Sequence, residues 1–406
     1  MSACWCGSDH FIPFNQDYQV CSACQTLVYT KEFSPDDFIV KNDDTDFYGK
    51  NYWMRHQQES FGYSDFETRV TADLTERNLF WLNALLQHLL PPGKLLELGC
   101  AHGSFVALLN QAGFDAKGLE MSPSIVEFAR RTFGIEVLEG PVENHPIPEG
   151  SLDAIALMDV IEHLPDPVAT MAHCLKLLKP EGMLLIQTPQ YQSDMIHEEL
   201  IQEHHAFLEQ LKPDEHLYLF SRESIKAFFK RLGAEYMQFL PAIYEKYDMF
   251  LAVSRLPLKG FSESDIKESL HESPSSRLVG ALLEMDKMRN GLLERLQDSE
   301  ADRLARLRQL QVCEADRSSR FEQIQSLTGQ LEASEIDRLA RFEQIQDLTQ
   351  MVKKSEAERE KLVLELGALR DDINRLLNRR YLRRLARSAG FDEVDRLVAR
   401  LELSRE

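Results

Sequence analysis

The stretch Leu95-Leu96-Glu97-Leu98-Gly99-Cys100-Ala101-His102-Gly103-Ser104-Phe105 constrains the fold of this chain more than any other. Apolar residues lead into an acidic one, two glycines follow four apart, and Phe105-Val106-Ala107-Leu108-Leu109 favours a helix. That order reads as a strand, a tight turn and a helix start. Gly99 and Gly103 would let the backbone approach a nucleotide-like ligand without a Cβ in the way, and the helix N-terminus would offer free N–H groups. A turn that needs glycine only for its geometry is the alternative. From Lys94 onward strands and helices alternate. Strands are expected at residues 95–98, 115–119, 136–138, 154–158 and 183–187, and a closing pair at 235–240 and 249–253. Helices are expected at 104–112, 123–132, 167–178 and 221–232. Such alternation predicts an α/β fold, a doubly wound parallel sheet of seven strands covered on both faces. Upstream, Leu74, Leu79, Leu82, Leu85, Leu86 and Leu89 have helical spacing, and Pro91-Pro92-Gly93 ends that helix.

A formal charge of -20 argues against broad nucleic-acid affinity, which needs clustered Lys and Arg. No apolar run is long enough for a membrane span and the first residues lack the pattern of a secretory signal, so a cytoplasmic location is expected. In that setting the seven cysteines, four of them near the N-terminus, read as metal ligands rather than a disulfide framework. Cys4-x-Cys6 and Cys21-x2-Cys24 would form a tetrahedral structural Zn2+ site, with Asp9 and His10 in reserve. Free structural cysteines are the alternative, and C-x-C is tighter than the usual C-x2-C. The aromatics of Tyr48-Gly49-Lys50-Asn51-Tyr52-Trp53 are read as packing on the core rather than lining a pocket mouth.

Four motifs stand in order: Glu97 to Gly103; Glu120 in Gly118-Leu119-Glu120-Met121-Ser122; Asp159-Val160-Ile161-Glu162-His163-Leu164; and Leu178-Lys179-Pro180-Glu181-Gly182-Met183-Leu184. Together they resemble class I S-adenosylmethionine-dependent methyltransferases over residues 94–255. Ala101 departs from the family, which usually has a second glycine there. The resemblance implies that Glu97 orients the turn and the cofactor's amino group, that backbone at Gly99 and Ala101 approaches its methionine part, and that Gly103 is a further cofactor-binding residue. Glu120, with Met121 beside it, would hold the ribose, since a carboxylate at this place can accept both hydroxyls. Val142 and Glu143 would flank the adenine, Met158 would be a further cofactor-binding residue, and Asp159 would face the methyl group. An NAD-binding turn is the competitor, and Glu97 and the later motifs fit it poorly.

Asp159, Glu162 and His163 resemble the metal-binding D/E-x2-E-H cluster of methyltransferases that act on catechol-like quinone precursors or RNA 3′ ends. His216 stands where the RNA-modifying group supplies a further ligand. The resemblance implies Mg2+ or another divalent metal at Asp159, Glu162 and His163; the alternative is that Glu162 and His163 cap the turn, with His163 a base or a structural residue. The cysteine module before such a core is similar to methyltransferases of nucleotide-linked sugars and of glycan gene clusters. The expected reaction is methyl transfer to a sugar or glycan hydroxyl, with His163 or His216 as base and Asp159 positioning the acceptor. A metal-assisted O-methyltransferase of a small molecule or RNA end, and a scaffold with a vestigial core, are the alternatives. The insert at 190–219, with His197, His204, His205 and His216, is read as a substrate lid; surface histidines without chemistry suffice for the first three.

Beyond Pro274 there is no proline, and Glu300-Ala301-Asp302-Arg303 recurs at Glu314 and Glu335, at offsets of whole heptads. Leu278, Leu282, Met285, Leu292 and Leu296, then Ile324, Leu327, Leu331, Ile345, Leu348 and Val352, follow 3-4 spacing. This predicts a coiled coil with faults at Ser334, Arg338 and Arg341, and so a homo-oligomer. The stalk is similar to that of polysaccharide-modifying methyltransferases, which implies glycan-assembly proteins as further partners. Arg375, Arg379, Arg380, Arg383, Arg384 and Arg387 form a basic cluster that suits a solvated face or an anionic partner. The expected domains are a zinc-binding module (1–35), a helical extension (36–92), the methyltransferase core (93–255), a linker (256–276) and the coiled coil with a basic C-terminal helix (277–406).

Overall fold

A computed structural model describes residues 4–31, 33–56 and 65–378, with 384, 388 and 396. The chain divides into two units, Met1–Leu296 and Gln297–Glu406. In the first, β1 (Phe11–Pro13), β2 (Tyr18–Cys21) and β3 (Leu27–Tyr29) precede α1 (Phe66–Asp73), and a π-helical turn, Leu74–Asn78, joins α1 to α2 (Leu79–Leu86). Then come β4 (Lys94–Leu98), α3 (Ser104–Ala112), β5 (Asp115–Glu120), α4 (Pro123–Phe133), β6 (Val137–Glu139), β7 (Leu152–Met158), α5 (Pro167–Leu177) and β8 (Leu178–Pro189). They are followed by α6 (His197–Glu203), β9 (Tyr218–Leu219), α7 (Arg222–Arg231), β10 (Tyr236–Leu240), β11 (Asp248–Ser254), α8 (Glu263–Ser269) and α9 (Pro274–Asn378).

The main sheet has seven strands in the order β10-β11-β8-β7-β4-β5-β6. β6, β5, β4, β7 and β8 are parallel, and β11 and β10 close the sheet antiparallel. Successive strand residues serve opposite faces. Leu96, Leu98, Ile155, Leu157, Leu184 and Ile186 join α5 and α7 in one core. Leu95, Ala154, Ala156, Met183 and Leu185 join α2 and α3 in the other. Each buried Leu or Ile contributes about 1.5–3 kcal/mol, and a one-residue register slip would turn every side chain of a strand into the opposite core and mismatch the packing of both. The chain winds from β4 toward β6 on one side and from β7 toward β8 on the other. The crevice at the C-terminal ends of β4 and β7 is therefore the switch point where ligands bind in such sheets.

Three features depart from the sequence reading. The helix expected before β4 is interrupted by its π turn, which changes the face that Asp73, Arg77 and Asn78 present. The N-terminal segment forms a second sheet, β1-β2-β3-β9, whose last strand comes from the 190–219 insert. Residues 256–276, read as linker from their composition, contain α8, started by a Ser262/Asp265 capping box and followed by the buried Leu270. Within the first unit α9 also buries Val279.

The second unit is helical through Asn378, and among the described residues most of its apolar side chains stand in solvent. Of the basic cluster, Arg379, Arg380, Arg383 and Arg387 lie outside the described residues. Among the described residues no helix is long and apolar enough to cross a membrane.

Candidate active site

At the switch point lies a cavity of about 490 Å3. β4 carries Glu97 to its floor, and the turn that follows needs left-handed backbone at Gly99 (φ 65°), Ala101 (φ 46°) and Gly103 (φ 80°). A Cβ on Gly99 would stand 2.8 Å from Val160 Cγ2. Ala101 holds a conformation that costs an L-residue roughly 1–2 kcal/mol, and its N–H is anchored on Glu120 Oε2 at 3.1 Å. Glu120 Oε1 accepts from the N–H groups of Met121 (2.8 Å) and Ser122 (3.2 Å). Burial raises the Glu120 carboxyl, against the effect of these hydrogen bonds.

Glu97 is buried, and its Oε2 has no hydrogen-bond partner among the described residues. Burial, reinforced by Glu120, pushes its carboxyl well above the usual range. Glu97 lines the cavity, and a buried carboxylate oxygen left without a partner there would suit a cationic ligand group.

Glu97, Gly99, Ala101, Glu120, Met121 and Met158 line the cavity with Val142 and Glu143. Gly103, expected to bind the cofactor, is not among the residues that line the cavity. It begins α3, and a Cβ there would collide with Ile135 Cδ1 and press on Ala129 Cβ at 3.2 Å, so it serves helix packing.

Asp159 ends β7 at φ 57°. Gln187 Nε2 donates to its Oδ1 at 3.0 Å, Arg77 Nη1 lies 3.4 Å from its Oδ2, and Trp81 Nε1 donates to Gln187 Oε1 at 2.9 Å. Beyond it Glu162 is fully buried, with Oε2 accepting from Thr188 Oγ1 at 2.9 Å and Oε1 unpartnered. Burial, then Asp159, drives the Glu162 carboxyl well upward.

One ligand atom each from Glu162, His163 and His216 lies within 4.8 Å of the others. His163 Nδ1 is 2.9 Å from the Glu215 carbonyl oxygen and 2.9 Å from Tyr48 Oη; His216 Nδ1 is 2.8 Å from the Gln210 carbonyl oxygen. Carbonyl oxygens only accept, so the proton of each neutral imidazole sits on Nδ1 and the Nε2 lone pair is free. Burial pushes His163 down to about 3 and His216 well below its ordinary value. Two neutral imidazoles and a carboxylate can bind a divalent ion or take a proton. His197, His204 and His205 do not line the cavity.

Several wall residues were not anticipated. Arg69, Asp73, Arg77 and Asn78 reach the cavity from α1 and the π turn. Asp73 accepts from His102 Nε2 at 2.9 Å. Asp248, at the start of β11, is raised to about 8 by burial and by Asp159. Tyr48, Tyr52 and Trp53, read as core packing, line the cavity. Only the Tyr48-to-Trp53 cluster was visible as a motif. Asp73 and Arg77 had no signal, because their exposure depends on the π turn.

At the N-terminus Cys4 Sγ is 3.5 Å from Cys24 Sγ and Cys6 Sγ is 3.6 Å from Cys21 Sγ, with all four sulfurs within 4.8 Å. A tetrahedral zinc with bonds of ~2.3 Å sets its sulfurs ~3.8 Å apart, so the quartet fits. Asp9 and His10 pair with each other at 3.7 Å on the surface, apart from the quartet. The module also reaches the active cavity's wall. Tyr29 N donates to Leu217 O at 3.0 Å, Tyr18 Oη to His216 O at 3.1 Å, and Leu217 N to Glu162 O at 2.8 Å.

Residues 70–238 match a family model described as a methyltransferase domain. The ubiquinone biosynthesis O-methyltransferase of Xanthomonas campestris pv. campestris is 30% identical over 108 residues, which cover 24% of this chain and 44% of the relative. That of Xylella fastidiosa is 31% identical over 104 residues, covering 23% and 41%. The chain thus spans less than half the length of these curated relatives. The magnesium protoporphyrin IX methyltransferase of Synechocystis, solved with bound SAH, aligns at 17% identity and a TM-score of 0.36 over 52% of this chain and 96% of its own.

Proposed function

We propose that the chain, whose residues 70–238 match a methyltransferase domain, is a class I S-adenosylmethionine-dependent methyltransferase that methylates a hydroxyl of a sugar or glycan. The observation that carries the reading is the unpartnered Glu97 oxygen at the foot of a glycine turn, a receptor for the cofactor's amino group. Gly99 and Ala101 present backbone to the methionine part, Glu120 and Met121 take the ribose, and Val142, Glu143 and Met158 border the rest. S-adenosylmethionine bound there supplies an activated methyl on a sulfonium sulfur. The protein must then align the acceptor oxygen and remove its proton.

Asp159, fixed by Gln187 and Arg77, positions the acceptor. His163 or His216 takes the proton on a free Nε2, since burial keeps both rings neutral at ordinary pH. Polar groups of Lys212, Asp248 and Gln210 beside the rings of Tyr244 and Tyr247 suit a polyhydroxylated acceptor. The cysteine quartet holds structural zinc, α9 assembles the chain with its own copies, and glycan-assembly proteins are further partners, in the cytoplasm.

The Glu162, His163 and His216 cluster favours a second reading, a divalent ion acidifying the hydroxyl of a small phenolic acceptor. Methyl transfer from labelled S-adenosylmethionine to panels of nucleotide sugars, oligosaccharides and catechols, with and without added Mg2+ or Mn2+, separates the two. Turnover of sugars that the added ions leave unchanged supports the first reading. Turnover of catechols alone, dependent on the added ion, overturns it. Failure of the protein to bind S-adenosylmethionine or its demethylated product defeats both.

A further inference from the structure

The second unit leaves its apolar residues uncovered: Leu310, Ile324 and Leu331 are 61%, 60% and 64% exposed. With Ile324 as position a of an abcdefg heptad, the a and d positions run from Ser299 to Leu376 without a skipped or added residue. The β-branched seam residues, Ile324, Ile345, Val352 and Ile373, all fall at a. Leucines fill d at 327, 348, 362, 369 and 376. β-Branched a residues with Leu at d favour two parallel strands. We propose that this helix pairs with the same helix of a second copy as a parallel, in-register, two-stranded coiled coil. This rests on the reading of α9 as an oligomerising stalk and adds strand number, direction and register.

Charge supports each addition. The eleven g positions from 302 to 372 hold six acids and no base. Antiparallel packing sets g against g, so it finds no attraction there. Parallel packing sets g against the next e of the other copy. In register, Asp302, Asp316 and Asp337 meet Leu307, Phe321 and Phe342, Glu365 meets Arg370, and no acid meets an acid. A slip of one heptad sets Asp302 and Asp316 against Glu314, Asp337 against Glu335 and Glu358 against Glu356.

The arginines that break the apolar seam fit the same pairing. Arg303, Arg317, Arg338 and Arg359 occupy a, each directly after an acid at g. In a parallel pair an a side chain enters a hole bordered by that g residue of the other copy, so each guanidinium finds a carboxylate across the seam. Arg306, Arg320 and Arg341, at d, keep Asp302, Asp316 and Asp337 of their own chain at 2.7, 2.8 and 2.6 Å.

Cys313 occupies d, and identical d residues face each other only when the strands are parallel and in register. Light scattering of the full chain should give twice the monomer mass. Diamide, which takes one hydrogen from each of two paired thiols, should give a covalent dimer that dithiothreitol reverses and Cys313→Ser abolishes. In the Cys313→Ser background, Ser334→Cys and Ser355→Cys, both at d, should each restore it, and Ser318→Cys, at b, should not. A threefold mass, or cross-linking at one d position alone, overturns this pairing and leaves an oligomeric stalk. A monomer overturns both.

Discussion

Glu97→Gln tests the cofactor site most directly, because it keeps the shape of a buried side chain and removes only its charge. Glu97 Oε2 has no partner among the described residues, which is why it is proposed to receive the cofactor's cationic amine. A hydrogen bond between charged groups contributes about 1.5–3 kcal/mol, so the variant should bind S-adenosylmethionine about 10- to 150-fold more weakly by calorimetry. The carboxyl is raised well above its usual range by burial. Binding of a cation favours its ionised form and releases a proton. The wild-type enthalpy should therefore differ between phosphate and Tris buffers, affinity should increase with pH, and both effects should vanish in the variant. Stability gives an independent check. The folded state holds this proton at pH values where the unfolded chain has lost it, so Glu97 destabilises the fold increasingly as pH rises through that window. Glu97→Gln should raise the melting temperature more at pH 8 than at pH 5. Unchanged affinity with no proton release would refute the assignment.

Gly103→Ala should cost about 1–3 kcal/mol in denaturant unfolding, from its left-handed backbone and the contact with Ile135, while leaving cofactor affinity within about twofold. Cys21→Ser should bring zinc content by atomic absorption well below one per chain and lower the melting temperature; a full zinc complement would count against the quartet as the site. Asp248 is raised to about 8 by burial and by Asp159. Turnover that needs it ionised should climb as pH passes about 8, and Asp248→Asn should flatten that limb of the profile.

The seven main strands were legible because each alternates between two cores, as Leu95 and Leu96 or Ala154 and Ile155 do. The turn at Gly99 and the residues at the ends of β5 and β7 followed from strand order. The packing reason for glycine at 103 was not legible, because it comes from Ile135 beyond the next helix. Asp73 and Arg77 were hidden because a regular helix would have turned them differently from the π turn. The small sheet was illegible for another reason. β9 is two residues long, and its partner lies 190 residues earlier, beyond the range of any local pattern.

That long-range pairing bears on how the protein can be altered. Tyr18 and Tyr29 hold the strand that begins just after His216, and Leu217 in turn holds Glu162. The cysteine module is therefore a brace on the acceptor side of the cavity, and it is not separable from the loop it grips. Chimaeras that exchange residues 4–31 between related enzymes should work only when residues 210–219 travel with them. If the quartet holds the zinc proposed for it, loss of that ion would be felt as a misplaced imidazole almost two hundred residues away in the chain.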